Sequence, residues 1–243
     1  MLLEGRKILV TGAGVRVGRI LALALAKAGA DVAVHYRHSE SDAVAVVQEI
    51  KQQGGRAVTV CGDLALAEVR ARLVGDAASA LDGLDGLINN ASLFDQDLLE
   101  HSTRDEWDRM IDVNARAPML LGRALADQLP DGIEGDVVHI NDIHCLKPRG
   151  DYFAYTQSKA LLHAMTGNMA LALAPRVRVN AVALGAVLPP ELPPQNYEHT
   201  GKSELPLGRY PALEDVASAV VFLLGCRSIT GETIRVDGGQ HLS

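Results

Sequence analysis

The chain has 243 residues, 48% of them hydrophobic, and a formal net charge of −7. That length suffices for one large core in one domain, and the acidic balance, with no local basic patch, argues against nucleic acid or an anionic membrane as partner. Three widely spaced cysteines (Cys61, Cys145, Cys226), a charged opening MLLEGRKILV and no apolar run of about 18 residues point to a cytoplasmic protein without a structural metal or a membrane span.

Apolar runs alternate with helical patterns along the whole chain. Strands are expected at 7–10 (KILV), 31–36, 57–62, 84–89, 136–140, 176–184 and 233–236, and helices at 18–29, 41–53, 65–81, 103–128, 152–173 and 213–225. Near-continuous apolar strands separated by helices imply a parallel sheet covered on both faces. Right-handed crossovers then give an α/β fold, a doubly wound, Rossmann-type sheet of seven strands. The stretch 186–208, with five prolines, follows a strand's carboxyl end, where ligands bind in such sheets; it reads as a substrate loop.

The strand ends carry the chemistry. After the first comes Thr11-Gly-Ala-Gly-Val-Arg-Val-Gly18. Glycines between a strand and a helix let the backbone approach a pyrophosphate, so Gly12, Arg16 and Val17 are candidate cofactor contacts. Arg16 interrupts the glycine spacing; its guanidinium is suited to clamp the phosphates or to reach over them into the site. After the second strand, NAD-binding chains place a carboxylate for the ribose 2′-hydroxyl. Here the chain reads His35-Tyr36-Arg37-His38-Ser39, and Arg37, with Ser39 and His38, suits a 2′-phosphate. The cofactor is read as NADP(H). Gly62-Asp63-Leu64 closes the third strand, where Asp63 either meets the adenine edge or caps the next helix. Asn89-Asn90-Ala91-Ser92 closes the fourth; amides at a buried strand end need partners.

The fifth strand leads through Asn141-Asp142 into a helix carrying Tyr155 and Lys159. Residues i and i+4 share a helix face about 6 Å apart. An ammonium there is expected to lower the phenol's pKa, so that it exchanges a proton near neutral pH.

With the glycine turn, NNA, Y-x-x-x-K and VDGG in this order, the chain resembles the short-chain dehydrogenase/reductase family over essentially its whole length. The resemblance implies that Tyr155 is the proton donor, that Lys159 binds the nicotinamide ribose, and that Asn114 (in DVNARAP) holds a relay water. Asn90 and Ala91 would line the cofactor, as would Gly185 in VNAVALG, where Leu184 replaces the family's proline. It also implies a homotetramer, with helices 103–128 and 152–173 at interfaces. Most members carry a serine about 13 residues before the tyrosine; here that place holds Asp142. An ionised carboxylate repels a developing alkoxide, whereas a proton-passing Asp suits a C=N bond, whose nitrogen must be protonated. The alternative is that Asp142 only caps its loop and Asn141 or His144 replaces the serine.

Arg16, HYRHS, NNAS-x-F, Asp142 and the ending VDGGQHLS look like the pteridine reductases, dihydromonapterin reductase included. By that resemblance Arg16 and Ser92 contact both phosphate and pterin. Phe94 stacks on the pterin unless it is an ordinary core residue, and Asp142 and Tyr155 deliver protons. Val187 stands where some relatives have a phosphate-binding hydroxyl. The expectation is an NADPH-dependent reductase of dihydropterins, with oxidised pterin, dihydrofolate and other cyclic imines as further candidates. The rivals are a carbonyl reductase, such as one for 3-oxoacyl thioesters, and a non-catalytic NADP(H)-binding regulator.

Overall fold

The computed structural model describes residues 2–147, 150–188 and 205–243. Seven strands, β1 (Lys7–Val10), β2 (Asp31–Tyr36), β3 (Ala57–Cys61), β4 (Gly86–Asn89), β5 (Gly135–Asp142), β6 (Val177–Leu184) and β7 (Thr233–Val236), form one sheet. Its order is β3-β2-β1-β4-β5-β6-β7, and every pairing is parallel. The helices are α1 (Arg16–Lys27), α2 (Glu40–Gln52), α3 (Ala67–Leu81), α4 (Arg104–Ile111), α5 (Ala117–Gln128), α6 (Phe153–Leu173) and α7 (Leu213–Gly225).

Side chains alternate across each strand, so each face feeds its own layer. Ile8 and Val10 of β1 join Val32 and Val34 in a core with Leu21, Leu25, Val46, Val220 and Leu223 from α1, α2 and α7. Leu9 points the other way, into a core with Leu73, Leu121, Leu125 and Met169 from α3, α5 and α6. Strand order reverses between β1 and β4, and a crevice opens there at the strands' carboxyl ends.

The fold is the doubly wound sheet expected, with two local differences. The fifth strand runs on to Asp142 because Asn141 and Asp142 stay in register with Ala183 and Leu184 of β6. The helix expected over 103–128 is broken. α4 starts with a capping box, Thr103 accepting from the Glu106 amide and Glu106 from the Thr103 amide. A π-helical turn, Asp112–Arg116, then separates it from α5. Pro118 supplies the reason: it has no N–H for the carbonyl of Asn114 four residues back, and its ring would strike that carbonyl in a regular helix. The widened turn relieves the clash and turns Asn114 inward. Most of the expected substrate loop, 189–204, lies outside the described residues. Among the described residues, no helix is long and apolar enough to cross a membrane.

Candidate active site

A cavity of about 730 Å³ sits over the carboxyl ends of the strands. Every residue expected to contact cofactor or substrate lines it; among the expected site residues, only Asn114 stands behind the wall.

One end is built from backbone. Gly12 has φ +63°, and a side chain on Gly18 would bring its Cβ to 2.1 Å from the Gly12 carbonyl. The turn therefore folds onto itself only with glycine at these positions, and it aims the N-terminus of α1 into the cavity. Arg16, exposed and with φ +51°, opens that helix. Thr11 locks the turn to β4: its hydroxyl accepts from the Asn90 and Ala91 amides at 2.9 and 3.0 Å. The Asn90 side chain donates to the carbonyls of Thr11 and Gly12 at 2.9 and 3.0 Å. With the Asn89 amide facing His139 Nδ1 at 3.1 Å, the paired asparagines have the partners that buried amides require.

Arg37, His38 and Ser39 lie at the exit of β2, where Asp63 faces Arg37 and Arg109, each at 3.8 Å. Asp63 also caps its own turn by accepting from the Ala65 amide at 2.9 Å. Tight glycines under a helix N-terminus, with guanidinium groups at the β2 end, fit a dinucleotide carrying an extra phosphate.

At the opposite end the Tyr155 hydroxyl donates to Asp142 Oδ2 at 2.8 Å. The other Asp142 oxygen accepts from the His144 amide at 2.8 Å. Asp142 therefore caps its loop and meets the tyrosine with separate oxygens. Of the alternatives for the missing serine, Asn141 lines the cavity, donates one amide hydrogen to the Lys159 carbonyl and accepts from the Asp142 amide, while His144 Nδ1 faces the Lys147 carbonyl. Phe94 is 41% exposed, so it is no core residue. Its ring stacks on Tyr152 at 4.6 Å and meets the edge of Tyr155 at 4.7 Å.

Lys159 is buried, donates to the Ile140 carbonyl at 3.1 Å and lies 5.7 Å from the centre of the Tyr155 ring. Burial pushes its pKa down from the ordinary 10.5 to about 8. The expected lowering of the tyrosine does not occur in this arrangement. Burial, and then the carboxylate and hydrogen bond of Asp142, hold the Tyr155 phenol well above its ordinary range. Tyr155 is a neutral donor whose proton is anchored on Asp142.

Asn114 holds the wall together. Its side chain accepts from the Leu93 amide at 2.8 Å and donates to the Leu93 carbonyl and to Ser158 Oγ, both at 3.0 Å. The amide hydrogens are thus committed.

Three residues went unread in the sequence. Asp97 accepts from the Ala154 amide at 3.1 Å and so caps α6 from a distant loop, which no local pattern reveals. Thr11, just past β1, and His35, within β2, carried a signal: a polar side chain at or in an apolar strand must find a partner.

The comparisons fit this geometry. A family model described as enoyl-(acyl carrier protein) reductase matches residues 12–241. The chain is 38% identical to the alternative dihydrofolate reductase FolM from Brucella canis, solved with NADP, with a TM-score of 0.93 over 100% of this chain and 96% of that one. It is 33% identical to an L-rhamnose 1-dehydrogenase (NAD(P)(+)) from Sphingomonas sp., covering 100% of this chain and 98% of the relative. It is also 31% identical to a 3-oxoacyl-[acyl-carrier-protein] reductase, FabG, from Staphylococcus epidermidis, over 98% and 99%. Fold, ordered motifs and these full-length similarities agree: the chain belongs to the short-chain dehydrogenase/reductase family of oxidoreductases.

Proposed function

We propose that this protein is an NADPH-dependent reductase of pteridine C=N bonds, acting on a dihydropterin or dihydrofolate. The observation that carries the reading is the carboxylate of Asp142, 2.8 Å from the Tyr155 hydroxyl, in the place where a carbonyl reductase needs a neutral donor. Its full-length similarity to FolM supports it. Bound in the cleft, NADPH supplies the hydride that adds to the ring carbon. The neighbouring ring nitrogen then needs one proton, which Tyr155 gives; Asp142, at the cavity wall, takes a proton from solvent and returns it to the tyrosine. A hydride and a proton together convert C=N to CH–NH. Lys159 sets a positive charge below the reacting pair. Phe94, stacked on Tyr152, gives a flat wall for a planar ring, and Ser92 and Arg16 border it.

The protein is read as a single cytoplasmic domain with 186–208 as its substrate loop. It would assemble as a homotetramer through α4, α5 and α6, the last two of which expose Met119, Leu161 and Leu171.

The test is NADPH oxidation with 7,8-dihydrobiopterin, dihydrofolate and an acetoacetyl thioester. Turnover of the pterin or folate alone is expected. Turnover of the thioester alone would overturn the reading in favour of the 3-oxoacyl reductases, to which the chain is also similar. The cofactor assignment has its own check. Arg37→Leu is expected to raise the KM for NADPH about 10- to 100-fold, as loss of a charged hydrogen bond does. The KM for NADH should move less than threefold; equal effects on both would show that Arg37 does not read the 2′-phosphate.

A further inference from the structure

Among the described residues, His35 is the one histidine whose ring spans two walls of the cleft, and none of the roles above uses it. It lies in β2, buried, between the strands that feed the glycine turn and the Asp63 loop. Its Nδ1 accepts from the Gly12 amide at 3.0 Å, and its Nε2 faces the Gly62 carbonyl at 3.0 Å. Its own carbonyl accepts from the Ala13 amide at 2.7 Å. An amide N–H only donates and a carbonyl only accepts, so these two partners permit a single state of the ring: neutral, with the proton on Nε2. A second proton on Nδ1 would point at the Gly12 N–H. Burial acts in the same sense and pushes the imidazole pKa down to about 4.

We propose that His35 is a positioning residue for the cofactor, a tie that fixes the gap between the wall that takes the pyrophosphate and the wall that takes the adenosine. This rests on reading the cleft as an NADP(H) site. Gly12 begins the turn under α1, and Gly62 leads directly into Asp63 and Leu64; all four line the cavity. A rigid dinucleotide site must hold these segments at a set spacing before the ligand arrives, because any spread of spacings subtracts from affinity. The tie also commits the first glycine's N–H to the ring. Anion binding then falls to the later amides of the turn and to Arg16. The bland account is that the ring only fills a polar gap in the core; that role predicts no selective effect on the cofactor.

The experiment compares His35→Leu, which keeps the bulk and removes both bonds, with His35→Asn, whose side-chain oxygen can still accept from Gly12. NADPH affinity is measured by fluorescence, and amide exchange of Gly12 is followed in the cofactor-free protein. In the parent, nitrogen-15 spectra should show the Nε2-protonated ring. His35→Leu is expected to raise the Kd for NADPH at least tenfold and to speed Gly12 exchange at least tenfold, with the kinetic loss falling on KM for NADPH rather than on kcat. His35→Asn should recover most of both. An unchanged Kd in His35→Leu, or equal loss in the two variants, would overturn the proposal. Failure of the parent itself to bind NADPH would instead sink the reading of the cleft on which the proposal stands.

Discussion

Replacing Asp142 with alanine is expected to lower kcat for a dihydropterin by about 10²- to 10⁴-fold, the range for a lost general acid or its proton supply. The Kd for NADPH should change less than threefold, because the loop that carries Asp142 lies at the far end of the cavity from Arg37. Alanine also removes the acceptor for the His144 amide, so a loss of activity could reflect a displaced loop. Asp142→Ser separates the two effects: a hydroxyl can still accept from His144 but carries no negative charge. If the carboxylate is the determinant of C=N chemistry, the serine variant stays poor on dihydropterin and gains turnover on a ketone or a 3-oxoacyl thioester, as a neutral donor no longer repels the developing alkoxide. Tyr155→Phe should be inactive on both classes of substrate. Near-parental dihydropterin turnover in Asp142→Ala would remove the carboxylate from the mechanism and leave the loop cap as its only role.

Much of this site was legible in the chain, for a physical reason. The cofactor end is a property of local backbone: a strand, glycines and a helix in immediate succession must form a tight turn under a helix N-terminus, and the sheet order then places that turn beside Asn90 and Arg37. Strands β1, β2 and β7 fall on the expected residues because apolar runs bounded by glycine or polar residues leave little choice of register. What escaped depends on contacts between distant segments. The break at Asp112–Arg116 follows from Pro118, visible in the sequence, yet apolar periodicity alone carries a helix straight through it. The cap on α6 comes from Asp97, more than 50 residues away. The pKa of Tyr155 was misread because the i, i+4 spacing reveals the nearby cation and conceals both the burial and the direct bond to Asp142. Asp142 itself was legible as a departure from the family's serine; its direct bond to the Tyr155 hydroxyl was not.

The second large effect concerns the cation. Lys159→Met should abolish turnover and yet make the cofactor-free protein more stable at neutral pH. The folded-state pKa of Lys159 is about 8 against an ordinary 10.5, so at pH 7 the chain folds with an ammonium in a site that disfavours it. At 1.36 kcal/mol per unit this strain is on the order of 3 kcal/mol. Methionine fills a similar volume without the charge but leaves the Ile140 carbonyl unpaired, which costs about 1–2 kcal/mol. The net gain of roughly 1–2 kcal/mol corresponds to a Tm higher by about 4 °C in a chain of this length. The pH dependence fixes the sign. Between pH 8 and 10.5 the unfolded lysine is protonated and the folded one is not, so the unfolded state binds more protons and Lys159 contributes a rise in stability with pH across that window. Below pH 8 its deficit is nearly constant. The advantage of the variant should therefore be largest at pH 7 and fall toward pH 10.5, where the unpaired Ile140 carbonyl leaves it about 1–2 kcal/mol less stable than the parent, which urea unfolding at several pH values measures directly. A variant that is less stable than the parent at pH 7 would mean that Asp142 and the Ile140 carbonyl already compensate the buried charge, and that Lys159 is held there for structure as well as for chemistry.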